Sequence, residues 1–97
     1  GARVRVRWLS KALHNLADEA DFIAIDHPKA AGLVVSPVLD AVQSLAQQPG
    51  IGRPGRMPGT RELVVPRTRY IVPYRVRSDT VEILRLFHTA RRLPERW

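Results

Sequence analysis

The stretch YIVPYRVRSDTVEILRLFH, residues 70–88, decides the fold of this chain. It contains two runs rich in β-branched and aromatic residues, Tyr70–Arg77 and Thr80–His88, and such runs are typical of β-strands. The polar segment Arg77-Ser78-Asp79-Thr80 joins them and suits a tight turn. The stretch therefore predicts a β-hairpin.

Side-chain alternation assigns the residues of this hairpin to the two faces of a sheet. In the first run one face carries Tyr70, Val72, Tyr74 and Val76, and the other carries Ile71, Arg75 and Arg77. In the second run one face carries Val81, Ile83 and Phe87, and the other carries Leu84 and Leu86. Because one helical layer covers only one face, we expect some apolar surface to remain for a partner, unless the sheet curls enough to hide it.

Two further runs extend the sheet on either side of the hairpin in sequence. Arg61–Val65 predicts a third strand, joined to the hairpin by Pro66-Arg67-Thr68. Val4–Trp8 alternates apolar and basic residues, which indicates a half-exposed edge strand. Residues 49–60 contain several prolines and glycines and are expected to form a loop.

Two amphipathic helices are predicted between the first strand and this loop. Apolar residues recur at helical spacing from Leu9 to Ala24, with Ser10 as a candidate N-cap and an end near Asp26. A second apolar stripe runs from Ala31 to Leu45, with Asp26 or His27 as cap, Pro28 in the first turn and Pro49-Gly50 as the stop. A very short connection makes the two helices an antiparallel hairpin.

The predicted fold is α+β with the order β-α-α-β-β-β, in which a helical hairpin packs on one face of a small, mainly antiparallel sheet. The length of 97 residues fits one domain, residues 1–97, and leaves no room for separate cofactor and substrate domains. No apolar run is long enough to span a membrane, and there is no cysteine for a disulfide or thiolate metal site. We expect a cytoplasmic protein without cofactor or membrane association.

The net charge of +7 is unevenly distributed along the chain. Residues 1–48 carry five basic and five acidic residues, whereas residues 49–97 carry eleven arginines, no lysine and four acidic residues. Arginine presents a planar fork of donors that matches phosphates and carboxylates. The second half therefore indicates an anionic partner, either nucleic acid or an acidic peptide.

Short elements along nearly the whole chain resemble the RelE/ParE toxins of bacterial type II toxin–antitoxin modules. In this sequence they are Val6-x-Trp8, Ala12-Leu13-x-x-Leu16, Asp26-x-Pro28-x-Ala30-Ala31, Gly52-Arg53-Pro54-Gly55-Arg56, Gly59-Thr60-Arg61-Glu62-Leu63-Val64-Val65, Tyr70-Ile71-Val72-x-Tyr74-Arg75-Val76 and Val81-Glu82-Ile83-Leu84-Arg85-Leu86-x-His88-x-Ala90-Arg91. Their order and the β-α-α-β-β-β plan together carry the resemblance.

The resemblance implies a cognate antitoxin as first partner, whose C-terminal half folds onto the toxin, and a toxin–antitoxin hetero-oligomer. The arginine-rich half and the spare apolar sheet surface would supply the contacts. The residues expected to bind the antitoxin are Arg61, Arg75, Arg77, Ile71, Leu84 and Leu86.

The resemblance also implies two alternative targets. Members similar to RelE cleave mRNA on the ribosome, and here Glu62 would act as base, His88 as acid, and Arg75 or Arg85 as phosphate clamp. Members similar to ParE inhibit DNA gyrase by binding, a role associated with plasmid stabilization. We favour the ParE-like branch because the C-terminal tyrosine and the lysines of the nuclease branch are missing. The residues expected to bind the target are Arg85, His88, Arg91, Arg92 and Trp97.

Simpler structural roles exist for the same residues. Glu62 suits a cross-strand ion pair, and His88 at a strand end suits an ordinary hydrogen bond. His14 and Asp18 lie four residues apart but lack a third ligand, so no metal site is expected. A plain DNA-binding module is disfavoured because neither helix has a basic exposed face.

Overall fold

The computed structural model describes residues 4–27 and 29–90, apart from the side chains of residues 26 and 30–34. Two helices pack on one face of a mixed, mostly antiparallel sheet, which confirms the α+β prediction. The elements in chain order are β1 (Arg5–Trp8), α1 (Ser10–Asp26), α2 (Ala30–Gln43), a 3-10 turn (Ser44–Ala46), β2 (Arg53–Pro54), β3 (Arg61–Val64), β4 (Tyr70–Arg77), β5 (Thr80–Ile83) and β6 (Phe87–His88).

Helix α1 begins as soon as the first strand ends. The backbone N–H of Leu9 still donates to Ile83 of β5, and the carbonyl of Leu9 already accepts from Leu13. Leu9 is therefore the N-cap, and Ser10 is the first helical residue, without a side-chain cap. The prediction of Ser10 as N-cap is wrong because the strand pairing holds Leu9 extended up to the first helical turn.

Helix α2 differs from its predicted bounds at both ends. His27 ends α1, where its N–H donates to the Ile23 carbonyl, and α2 begins at Ala30 with Lys29 as N-cap. Pro28 lies outside the described residues. The helix stops at Gln43 rather than at Pro49-Gly50, since a 3-10 turn follows that buries Leu45. The Ala46 carbonyl of this turn accepts a hydrogen bond from the N–H of Val4, the residue just before β1.

The sheet has the strand order β1-β5-β4-β3-β2, with β6 also paired to β4. Strand β1 lies at one edge, as predicted, and runs parallel to β5, while all other pairs are antiparallel. Ser78 and Asp79 form the two-residue turn between β4 and β5. The region predicted as loop contains the short strand β2, because Arg53 and Pro54 pair with β3.

The predicted strand Thr80–His88 is interrupted by a β-bulge. The N–H groups of Leu84 and Arg85 both point to the carbonyl of Pro73, at 2.9 and 3.5 Å, and the register of β6 on β4 is shifted by one residue relative to β5. Proline has no N–H to complete a regular ladder inside a sheet, so the bulge forms opposite it.

The bulge exchanges the sheet faces that were predicted for Leu86 and Phe87. Leu86 lies in the core with Val81 and Ile83, whereas Phe87 pairs with Ile71 on the opposite face of the sheet. The alternation prediction is therefore wrong beyond residue 83, because one inserted residue changes the side on which every later side chain lies.

One core fills the space between the helices and the sheet. Helix α2 and the following turn contribute Val38, Val42 and Leu45, and α1 contributes Ala12 as its fully buried residue. The sheet contributes Leu63, Val65, Tyr70, Val72, Tyr74, Val81, Ile83 and Leu86. No helix in the described part of the chain is long and apolar enough to cross a membrane.

Candidate functional site

The sheet face away from the helices carries a cluster of ion pairs centred on the Glu82 carboxylate. The Arg75 Nε donates to Glu82 Oε1 at 2.6 Å, and the Arg77 Nε lies 3.6 Å from the same oxygen. This arrangement follows from the register, since Arg75 lies directly across from Glu82. The hydrogen bond from Arg75 lowers the pKa of Glu82 below its usual value, which keeps the carboxylate ionised.

Glu62 is the one buried charged side chain in the described ranges, with 4% exposure. Its Oε1 accepts from the Arg53 Nε at 3.2 Å, and its Oε2 accepts from the Arg56 N–H at 3.4 Å. The pairing of β2 with β3 brings Arg53 directly opposite. The structure thus gives Glu62 the cross-strand ion pair that is ordinary for a strand carboxylate.

His88 lies on the side of the sheet that faces the helices. Its ring contacts the Tyr70 ring edge-on, with centroids 5.1 Å apart, and its Nδ1 accepts from the Ala90 N–H at 3.1 Å. Tyr70 belongs to the core face, whereas Glu62 precedes the core residue Leu63 and lies on the other face. The sheet therefore separates the candidate acid and the candidate base.

Arg85 lies in the β-bulge between β5 and β6. Its Nε donates to Asn15 Oδ1 of helix α1 at 2.8 Å, and its guanidinium carbon lies 4.9 Å from the Phe87 ring centroid. Asn15 Oδ1 also accepts from the Leu86 N–H at 3.2 Å, so one amide joins the helix to the bulge. Three other residues expected to bind the target, Arg91, Arg92 and Trp97, lie outside the described residues.

The residues expected to bind the antitoxin are only partly accessible. Ile71 and Leu86 are each 2% exposed, Leu84 is half-buried, and Arg75 and Arg77 contact Glu82. The Arg61 Nη1 donates to the Gly52 carbonyl at 2.8 Å and to the Gly50 carbonyl at 3.3 Å. Arg61 thus holds the loop that leads into β2.

An open groove of about 650 Å³ lies between the helical hairpin and the turn from β3 to β4. Its walls are mainly apolar, and basic side chains of the turn line its other side. The lining residues are Phe22, Ile23, Pro37, Asp40, Pro66, Arg67, Thr68, Arg69, Tyr70 and His88. Phe22 is 59% exposed there, and Ile25, one turn further along α1, is 79% exposed.

Sequence reasoning missed this groove because it treated residues 66–68 only as a connection between strands. One signal was available: Phe22 is a large apolar residue outside the predicted apolar stripe of α1. Within the described residues, no group of three or more His, Cys, Asp or Glu side chains could hold a metal ion.

Comparison with known proteins identifies the family. The family model described as ParE toxin of type II toxin-antitoxin system, parDE, matches residues 6–93. A Sinorhizobium fredii protein named "Putative toxin Y4kP" is 44% identical over 94 residues, which cover 97% of each chain.

Two solved structures are also similar. One, titled as a chromosomal ParDE TA system from P. aeruginosa, has a TM-score of 0.82 and 29% identity, with 89% of this chain and 96% of that chain covered. The other, titled as the toxin-antitoxin complex RelBE2 from Mycobacterium tuberculosis, has a TM-score of 0.66 and 25% identity, with 90% and 99% covered. The chain therefore belongs to the ParE toxin family of type II toxin–antitoxin systems, within the RelE/ParE superfamily.

Proposed function

We propose that this toxin is neutralised by a cognate antitoxin and inhibits DNA gyrase by binding, without cleaving RNA. We favour gyrase over mRNA as the target because Glu62 and His88 lie on opposite faces of the sheet. RNA cleavage without a metal needs a base and an acid within hydrogen-bond reach of one phosphodiester. Side chains on opposite faces of a sheet do not meet this requirement.

The other members of the nuclease set support the same conclusion. Arg75 donates a hydrogen bond to Glu82 on the sheet face away from the helices, while Arg85 donates one to Asn15 of helix α1. A phosphate clamp works when its guanidinium is aimed at the place where charge develops. These two arginines each bind a different partner, and neither lines the groove that His88 lines.

For the antitoxin, we propose that its apolar side chains insert into the groove beside Phe22. The family match and the two structural relatives, which are a ParDE TA system and the RelBE2 toxin-antitoxin complex, support an antitoxin as the occupant. Arg67 and Arg69 line the groove and offer charge-assisted contacts to an acidic peptide. Of the sheet residues expected from sequence to bind the antitoxin, Leu84 remains a secondary contact, and the burial of Ile71 and Leu86 leaves them a supporting role. Arg75 and Arg77 lie on the sheet face away from this groove, so we do not include them in the proposed antitoxin site.

The antitoxin assignment is tested with the protein encoded beside the toxin gene, by isothermal titration calorimetry. Phe22→Ala removes exposed apolar surface from the groove and should weaken binding at least tenfold, as expected for an interface anchor. Leu13→Ala is the matched control, since Leu13 is 49% exposed on the same helix and does not line the groove. Equal losses for both variants would refute the groove as the site.

The target assignment is tested by assaying the purified toxin side by side on gyrase supercoiling and on mRNA bound to programmed ribosomes. We expect loss of supercoiling activity and intact mRNA. A chain truncated after Ala90 lacks Arg91, Arg92 and Trp97, and it should lose toxicity while it retains antitoxin binding. His88→Ala should have a modest effect, whereas loss of a proton-transfer group would slow a nuclease about 10²–10⁴-fold. Codon-specific mRNA cuts with intact supercoiling would overturn the proposal.

A further inference from the structure

Four arginines form a rectangle on the sheet face away from the helices, which we call the arginine grid. In one row Arg7, Glu82 and Arg75 lie directly across from one another on β1, β5 and β4. The next row lies two residues away along each strand and consists of Arg5 on β1, Thr80 on β5 and Arg77 on β4, again directly across from one another. Residues two apart along a strand are separated by about 7 Å, and next-nearest strands by about 10 Å, which gives the dimensions of the grid.

The arginine grid is positively charged despite two nearby carboxylates. Glu82 lies between Arg7 and Arg75, and Asp79 lies in the turn, where its Oδ1 accepts from the Thr80 hydroxyl at 3.2 Å. Four guanidinium groups against these two carboxylates leave a net charge of +2. Arg75 is held close to Glu82. Arg77 also lies near this carboxylate, at 3.6 Å, but its side chain is exposed to solvent, as are Arg5 and Arg7.

We propose that the arginine grid binds the phosphate backbone of double-stranded DNA directly. Guanidinium groups bind phosphate oxygens through paired N–H donors, and their spacing along β1 and β4 is comparable to that of neighbouring phosphates on a nucleic acid strand. The helices lie on the opposite side and expose Asp18, Asp21 and Asp40. Contact is therefore made by the sheet to the backbone, and binding is independent of base sequence.

The composition of this face favours a duplex over single strands. Sequence-independent binding of single strands relies on exposed aromatic side chains on which bases stack. Among the described aromatic residues, Phe87 is the one on this face, and it is buried with the Arg85 guanidinium close to its ring. The other described aromatic side chains of the sheet, Trp8, Tyr70 and Tyr74, pack with the core on the helical side.

The same face is less suited to an acidic peptide. Peptide segments bind with apolar or aromatic anchors in a pocket beside their charged contacts. The groove that offers such a pocket lies on the helical side, between α1, α2 and the turn from β3 to β4. The arginine grid thus offers charge without an anchor, which suits a polyanion. The inference does not depend on gyrase as the target or on the antitoxin site.

The test is the salt dependence of binding between the full chain and a fluorescein-labelled mixed-sequence duplex, followed by fluorescence anisotropy. Three phosphate contacts by the exposed arginines predict a slope of log K against log salt of about −2.7, or about a 40-fold loss from about 50 to 200 mM salt. Arg5→Gln/Arg7→Gln removes two contacts and should reduce the slope to about −0.9, or about a 3.5-fold loss. Both side chains are exposed, so the fold should be retained, as circular dichroism will verify.

Two further variants make the test specific. Arg67→Gln/Arg69→Gln removes the same charge from the turn between β3 and β4 and should leave the slope near that of the unmodified chain. Thr80→Glu retains every arginine but adds a carboxylate at the centre of the second row, and it should weaken binding more than the turn variant. The proposal is overturned by absence of duplex binding, by equal slopes for both double variants, by tighter binding of a single strand, or by displacement of the duplex by poly-glutamate at equal charge concentration.

Discussion

The Tyr74 hydroxyl is the point at which the sheet holds the loop between α2 and β2. The side chain is fully buried in the core, and its hydroxyl donates to the Pro49 carbonyl and accepts from the Gly52 N–H, each at 2.8 Å. Tyr74→Phe removes only this hydroxyl. The buried Gly52 N–H loses its acceptor, at a cost of about 1–3 kcal/mol, and the bond to Pro49 is worth about 1 kcal/mol more.

We therefore expect Tyr74→Phe to lower the free energy of unfolding by about 2–4 kcal/mol. For a chain of this length that corresponds to a fall in Tm of about 8–32 °C. The measurement is urea unfolding at neutral pH followed by far-UV circular dichroism. Tyr70→Phe is the control, because the Tyr70 hydroxyl lies at the longer distance of 3.4 Å from Glu19 Oε2 and its removal should cost under about 1 kcal/mol. Equal losses for the two variants would refute the reasoning.

The same hydroxyl predicts a dependence on alkaline pH. Burial raises the pKa of Tyr74 above its ordinary value of 10.0, so the folded state holds this proton more tightly than the unfolded state. The unfolded chain loses the proton first as pH rises above about 10, and the stability contributed by the neutral hydroxyl declines there. Tyr74→Phe should lack this part of the decline. If the two proteins lost stability in parallel above that pH, the buried hydroxyl would not be its source.

Three other substitutions have defined outcomes. Asn15→Ala removes the acceptor of two N–H donors from the bulge and should lower the free energy of unfolding by about 1–2 kcal/mol in urea; an unchanged midpoint would contradict this. Arg75 lowers the pKa of Glu82, so the stability gained from this carboxylate is present above about pH 4.5 and is lost as pH falls below that value. Glu82→Gln should thus be less stable than the unmodified chain near pH 7, with a gap that narrows on acidification; a constant gap would argue against it. Gly52→Ala would place a Cβ 2.9 Å from a backbone carbonyl and should cost about 1–3 kcal/mol in thermal unfolding, while Gly50→Ala, with nothing within 4 Å, should not.

Much of the fold could be predicted because the periodicity of each segment is a local property. Alternation assigned Tyr70, Val72 and Tyr74 to one face, and all three lie in the core. Helical spacing located both helices to within a few residues at their beginnings. Their caps were not predicted, since Leu9 is extended by its pairing with Ile83 and not by its own preferences.

The candidate site was predicted less well because it depends on contacts between distant segments. Glu62 and His88 are plausible proton-transfer residues by type, and their sequence positions do not reveal that the sheet separates them. The groove beside Phe22 is built from two helices and a turn, so no single segment carries its pattern. The arginine grid likewise needed the register of β1 on β5 and of β5 on β4.

The amino-acid sequence by itself determined the family, the order of helices and strands, and the concentration of arginine in residues 49–97. The tertiary structure decided which face of the sheet the described side chains of these strands occupy. The β-bulge opposite Pro73 shows the physical reason most clearly. A proline in a central strand cannot donate to its neighbour, the neighbour inserts one residue, and Leu86 then turns into the core while Phe87 turns away from it. Alternation along one strand contains no information about the partner strand that imposes this shift.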